Sequence, residues 1–165
     1  MIQPISEKNR QQVMNFFRQH WGSSQMIISS GTYDCAMLDG YVYVKGATII
    51  GLVTYVLRGE SLEVISLDSI QEGKGIGTFL MEEVEQFAKE LVIPHIELIT
   101  TNDNLQALKF YQKRGYRIIN VIPNAVVEAR KVKPTIPLIG NEGIPLLDEL
   151  KLQKKLVDEN SNHLL

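Results

Sequence analysis

The chain has 165 residues, 44% of them apolar and 22% charged, which suits a soluble globular domain and excludes a disordered, collagen-like or membrane-spanning chain. Seventeen basic against nineteen acidic side chains leave a net charge of -2, so there is no global field to draw in nucleic acid. No apolar run approaches the roughly 20 residues that cross a bilayer, and the opening Met1–Arg10 lacks the apolar stretch of a secretory leader. The cytoplasm is the expected compartment. Cys35, the single cysteine, can form no internal disulfide and reads as a small buried apolar residue. His20, His95 and His163 have no metal-ligand spacing, and no metal is expected.

Met1 to Pro4 is predicted as a short opening strand, followed by a helix capped by Ser6 that runs to about His20 with Val13, Phe16 and Phe17 inward. Residues 21–39 read as a polar connection with one apolar patch, Met26-Ile27-Ile28. Residues 40–45, 47–58 and 61–68 are rich in Val, Ile and Tyr and are separated by Lys45-Gly46 and Gly59-Glu60. They predict an antiparallel meander. A helix is predicted from Gly75 to Leu91, with Ile76, Leu80, Val84, Phe87 and Leu91 on one stripe and Pro94 beyond its end. Ile96–Thr100 reads as a strand. Asn102-Asp103-Asn104 supplies caps for a helix over Leu105–Arg114 that Gly115 ends, and Tyr116–Ile122 is a further strand. Beyond it come a short helix over 124–131, a proline-rich loop over 133–145, an element at 148–156 that reads as strand or helix, and a flexible tail at 157–165. The order predicts the α/β class (α+β type): a mixed, mostly antiparallel central sheet with helices on both faces. One domain is expected over 1–156, with its core in 1–122 and a variable segment in 123–156.

The most informative stretch is Leu67–Leu80: a strand, then a turn holding Gly73, Gly75 and Gly77, then a helix. Glycines let a ligand approach the backbone, and the first turn of a helix offers unpaired N–H groups at the positive end of its dipole. Together they suit a pyrophosphate. A dinucleotide fingerprint would need glycine where Leu80 stands and an opening parallel βαβ unit; a P-loop would need Ser or Thr after Lys74, where Gly75 stands.

Glu72-Gly-Lys-Gly-Ile-Gly77 ahead of an amphipathic helix resembles the acetyl-CoA pyrophosphate loop of the GNAT N-acetyltransferase superfamily, Gln/Arg-x-x-Gly-x-Gly/Ala. Asn104-Leu-Gln-Ala107-Leu-Lys-Phe110-Tyr111-Gln-Lys113-Arg-Gly115-Tyr116 resembles a second segment of that family, Asn-x-x-Ala-x-x-Phe-Tyr-x-Lys-x-Gly-Phe/Tyr. The resemblance covers about residues 1–122. It implies transfer of acetyl from acetyl-CoA to a primary amine of a small molecule or peptide, by direct attack in a ternary complex. The backbone of Ile65–Ser69, including Leu67, Asp68 and Ser69, would pair with the pantetheine arm, and the Leu67 N–H would face the thioester carbonyl. Gly73, Lys74, Gly75, Ile76, Gly77 and Thr78 would surround the pyrophosphate. Asn104 would touch the cofactor as well as cap its helix, and Lys113 would reach the nucleotide phosphate.

Tyr111 is the expected general acid toward the sulfur. For the base the expectation is Glu63, with Glu97 or a water chain as runners-up, because an ammonium near pKa 10 must lose a proton. Glu72 stands where the family has Gln or Arg, so its carboxylate is expected to turn away from the pyrophosphate or to pair with Lys74. Acceptor specificity is expected from the first helix, the 21–39 connection and the segment after Pro123, where Glu128, Glu142, Asp148 and Glu149 offer carboxylates to a cation. The expected partners are acetyl-CoA and the amine or peptide, with neither nucleic acid nor membrane; a homodimer is left open. The competing readings are a non-catalytic acyl-CoA-binding sensor or partner subunit, and an acyltransferase with another acyl group or an oxygen acceptor.

Overall fold

The computed structural model describes residues 1–156, and the tail expected at 157–165 lies outside them. In chain order the elements are β1 (Ile2–Pro4), α1 (Arg10–Trp21), β2 (Gln25–Ile28), β3 (Gly31–Asp34), β4 (Asp39–Lys45), β5 (Thr48–Arg58), β6 (Ser61–Ser69), α2 (Ile76–Glu90), β7 (His95–Thr101), α3 (Leu105–Lys113), β8 (Arg117–Ile122), α4 (Ala125–Val132) and β9 (Glu149–Lys155). They divide between two compact units, Met1–Ser24 with Cys35–Ile96 and residues 155–156, and Gln25–Asp34 with Glu97–Lys154.

In the first unit the strands run antiparallel in the order β1-β4-β5-β6, with the predicted meander at its centre. Paired residues share a face and neighbours along a strand take opposite faces. Gly51 pairs with Ser69, and a Cβ on Gly51 would stand 2.6 Å from Ile76 Cγ2 of α2. The missing side chain therefore lets α2 settle on that face. Leu52 and its partner Asp68 take the other face, where Trp21 of α1 bonds the Asp68 carboxylate. The two helices thus cover opposite faces of the sheet, which is why Ile49–Tyr55 is buried without alternation.

Two predicted details of the helices differ. Helix α1 begins at Arg10 rather than after Ser6. The Ser6 N–H donates to Asn9 Oδ1 (2.9 Å) and Asn9 Nδ2 donates to the Pro4 carbonyl (3.0 Å), closing residues 7–9 into a turn. On α2 the buried residues are Ile76, Leu80, Met81, Val84 and Ala88, the first four contributing about 1.5–3 kcal/mol of burial each. Leu91 lies past the helix end, before Val92 at φ +58°, and is exposed.

In the second unit the order is β7-β9-β8, with β8 and β9 antiparallel and Ile118 opposite Leu152. The ambiguous 148–156 segment is therefore a strand. Residues 21–39, expected as a connection, instead contain the β2–β3 hairpin, Met26 opposite Tyr33. The Ser29 N–H at its tip donates to Glu149 Oε1 (3.1 Å). The Asn104 side chain caps α3 by accepting the Ala107 N–H (3.2 Å), as predicted. Arg130 of α4 donates to the carbonyls of Ile136, Pro137 and Leu146 at 2.8–3.1 Å. Asn102 accepts the N–H groups of Leu147 and Asp148 (both 3.0 Å) and donates to Pro145 O (2.9 Å). These bonds fix the path of the proline-rich loop. The architecture is of the predicted class, α/β with a mostly antiparallel sheet.

Candidate functional site

In the first unit, β6 ends at Ser69, whose hydroxyl both accepts the Gln71 N–H (3.3 Å) and donates to Gln71 O (3.1 Å). This local turn aims the chain into the glycine loop. Gly73 (φ +76°) and Gly75 (φ +74°) take left-handed conformations that side-chain-bearing residues adopt only at a cost of about 1–2 kcal/mol. Gly75 is the N-cap of α2, and no side chain caps that end. The first helical bond runs from Phe79 N–H to Gly75 O (3.0 Å), so the amides of Ile76 and Gly77 precede the ladder. The first turn carries no acidic residue. A hollow beside the loop is lined by Met1, Tyr43, Lys45, Gln71, Lys74 and Ile76. Glu72 is exposed and, among the described residues, forms no ion pair with Lys74, which leaves the other expected arrangement, a carboxylate turned away from the loop.

On β6 itself, Asp68 Oδ1 accepts the Trp21 indole N–H at 3.1 Å, while Oδ2 is buried with no hydrogen-bond partner. Burial pushes this carboxyl above the usual range, against the Trp21 hydrogen bond and the charge of His20, which pull it down. Glu63, also buried, stands 3.2 Å from Arg58 Nε. Its neighbour Val64 pairs with Tyr55, whose ring meets Phe87 of α2 at 5.3 Å, so Glu63 projects from the face turned away from α2, as Asp68 does. On the α2 face Tyr55 is pushed up to about 12 by burial, then by Tyr41 and Asp39, and its phenol stays protonated at neutral pH.

In the second unit, α3 carries Asn104 at its cap, Tyr111 buried on its inner side and Lys113 exposed. The Tyr111 ring packs edge-on against Phe110 (5.2 Å) and Tyr116 (5.6 Å), and the Arg114 guanidinium lies over Phe110 (3.6 Å). Glu97 bonds Gln153 Nε2 (2.9 Å) and pairs with Lys151 (3.1 Å). Of the carboxylates considered for a cationic acceptor, Glu149 is buried on the Ser29 amide, Asp148 accepts the Asn124 N–H (2.8 Å) and Glu128 pairs with Lys131. Each of these three already has a partner among the described residues.

The profile of the acetyltransferase (GNAT) family matches residues 8–116, well over half the chain. The chain belongs to the GNAT acetyltransferase family. YxbD of Bacillus subtilis (strain 168) is 51% identical over 156 residues, 94% of this chain and 98% of that protein. Among solved structures, the IAA acetyltransferase from Bacillus cereus ATCC 14579 superposes with a TM-score of 0.69 at 21% identity, over 94% of this chain and 99% of that one. A GNAT family acetyltransferase from Elizabethkingia anophelis, crystallised with acetyl-CoA bound, gives 0.69 at 20% identity, over 94% and 97%. These two share the GNAT fold with this chain.

For a GNAT protein, the α2 end that follows the left-handed Gly73 and Gly75 could hold the pyrophosphate of acetyl-CoA: no side chain caps it, no carboxylate occupies the first turn and Lys45 and Lys74 line the hollow beside the loop. Sequence reasoning missed the bond between Trp21 and the Asp68 side chain. No local pattern announces a bond between residues 47 positions apart.

Proposed function

We propose that this protein transfers the acetyl group of acetyl-CoA to a primary amine of a small molecule or peptide, the two substrates reacting directly. The observation that carries this reading is the α2 N-terminus, capped by no side chain and entered through Gly73 and Gly75. In this reading the backbone of Leu67, Asp68 and Ser69 pairs with the pantetheine arm, and Leu67 N–H stabilises the charge that grows on the thioester oxygen. Gly73, Lys74, Gly75, Ile76, Gly77 and Thr78 hold the pyrophosphate. Asn104 and Lys113 contact the cofactor, and Tyr111 gives a proton to the departing thiolate. Family membership supports the acetyl-transfer chemistry.

The test is thiol release from acetyl-CoA across polyamines, amino acids, aminoglycosides and peptides, with calorimetry for the cofactor. Amine-dependent release with formation of an N-acetyl product is expected. Tight acetyl-CoA binding with no turnover would point to a sensor, and transfer only to alcohols would reassign the acceptor.

A further inference from the structure

In the second unit the outer strand is open. β8 pairs with β9 on one side and, among the described residues, with no strand on the other. Such an edge offers a row of N–H and C=O groups to any extended chain, and folded proteins blunt it with short strands, proline or charge. The edge strand of the first unit, β1, is three residues long and contains Pro4. β8 has six residues, Arg-Ile-Ile-Asn-Val-Ile, with no proline and a single charge, Arg117. Ile118, Ile119 and Val121 are 43%, 49% and 51% exposed.

Ile119 is the extra residue in the register, since Ile118 stands opposite Leu152 and Asn120 opposite Lys151. This bulge turns Ile118 and Val121 to one face, that of their partners Leu152 and Leu150. Leu152 is fully buried. The apolar layer of that face therefore runs outward to Ile118 and Val121 and stops there half covered. Charge divides along the same edge. Arg117 opens the strand, beside Tyr116 with Lys154 over its ring (5.6 Å). Past the other end, Asp148 accepts the Asn124 N–H (2.8 Å). Neither Arg117 nor Asp148 forms an ion pair among the described residues. The strand that suits this edge is apolar at its middle and carries its charges in the opposite order. A second copy of β8, run antiparallel, has that pattern.

We propose that β8 pairs antiparallel with β8 of a second copy of this chain, giving a two-fold dimer. Centred between Ile119 and Asn120, the pairing sets Ile118 against Val121 of the partner subunit, and Val121 against Ile118 of the partner subunit. It turns Arg117 toward Asp148 of the partner subunit. No like charges stand opposite one another, which cross-strand pairing penalises. Six residues are well short of the roughly 20–30 a side in a standard interface, so association is reversible, with a Kd in the micromolar range. The inference uses no residue that the acetyl-transfer reading gives to acetyl-CoA, and it stands or falls apart from that reading.

The experiment is sedimentation velocity of the full chain over about 1–100 µM, a range suited to an interface of this size. The wild type is expected to pass from monomer to dimer as concentration rises. Val121 is exposed in the single chain, so Val121→Lys should fold, which circular dichroism checks, and should weaken association about tenfold or more. Oxidative cross-linking reads the register. Directly opposed residues have Cα atoms about 4.5–5.5 Å apart, within reach of a disulfide. The Ile118→Cys/Val121→Cys double variant should therefore link copies under mild oxidation. Either single variant should not, because neither residue faces itself. Cys35 is buried and does not compete.

A wild type that stays monomeric at every concentration overturns the proposal. So does a dimer that Val121→Lys leaves intact, or one whose double-cysteine variant stays unlinked, since association would then use another face or register. If Val121→Lys does not fold, the cysteine variants decide alone.

Discussion

Arg58 Nε lies 3.2 Å from Glu63 Oε1, joining a half-exposed guanidinium to a carboxylate buried in the first unit. The pair bridges the two strands next to their turn, β5 ending at Arg58 and β6 beginning at Ser61. Removing a partner of a buried charge costs more than neutralising that charge, because the remaining ion stays desolvated. Arg58→Ala is expected to destabilise the protein by about 1–3 kcal/mol, the exposure of Arg58 keeping the loss below that of a fully buried pair. Glu63→Gln should cost less. Urea unfolding of both variants checks this, and the opposite ranking would show that the pair contributes little.

At the phosphate loop, Gly75 sits at φ +74° with only Phe79 Cε2 near an added Cβ, at 3.6 Å. Gly75→Val should abolish acetyl-CoA binding in calorimetry and cost about 1–2 kcal/mol of stability from backbone strain. Gly59→Ala, at φ +56° in the β5–β6 turn with open space around it, carries comparable strain and should leave binding intact. Equal binding by Gly75→Val and wild type would remove the loop from the site.

Acetyl-CoA and CoA should stabilise the folded chain. At a hundredfold excess over Kd the gain is about 2.7 kcal/mol, which for a chain of this size raises Tm by about 5–10 °C. Differential scanning fluorimetry should show that rise, with little from ATP or NADH. A larger rise with either of those would indicate another nucleotide.

Tyr111→Phe keeps the ring contacts with Phe110 and Tyr116 and deletes the hydroxyl. A general acid is worth about 10²–10⁴-fold, but a thiolate with a pKa near that of cysteine, about 8.5, leaves fairly well unaided. The expected loss in kcat is therefore about 10- to 100-fold, at or below the low end of that range. KM for acetyl-CoA should be nearly unchanged. Steady-state kinetics with chemistry rate-limiting decides it, and an unchanged kcat would make the tyrosine purely structural.

Asp68 links pH to stability. Its folded carboxyl is raised by burial, so the native state holds the proton more tightly than the unfolded chain does. Stability is therefore highest below the ordinary aspartate value of about 3.9, as far as this group is concerned. It falls as pH rises from there through the raised native value. Asp68→Asn should flatten that decline and be at least as stable as wild type near neutral pH. Urea midpoints measured across the acidic range test this, and an Asn variant markedly weaker at neutral pH would contradict it.

What was legible beforehand followed from strong local chemistry. Lys45-Gly46 and Gly59-Glu60 marked turns between Val- and Ile-rich strands, Asn104 announced a cap, and the Leu80–Val84 spacing announced the inner face of α2. The β2–β3 hairpin escaped because its strands have four residues each and its Ser29-Ser30 turn lacks the Asn-Gly type of signal. Strand β9 was ambiguous because Leu150 and Leu152 alternate with lysine and glutamine over too short a run. Ser6 lost the α1 cap because Asn9 folds back onto the chain before the helix starts. The Asp68 oxygen without a partner depends on tertiary packing and leaves no trace in residue order.

The loop from Lys133 to Leu147 is held at its backbone by side chains that belong to other segments: Arg130 near both ends, Asn102 at its exit and Asp103 at the Asn141 amide (2.8 Å). Of its own side chains, Leu146 is buried and Lys133 Nζ donates to Gln25 O (2.9 Å), whereas Leu138 and Ile139 stand exposed. Related enzymes are therefore free to exchange the residues displayed along this ribbon while its course stays the same. Diversification of the surface and preservation of the scaffold are assigned to different residues, and mutations in the posts, Asn102, Asp103 and Arg130, are the ones such a lineage can least tolerate.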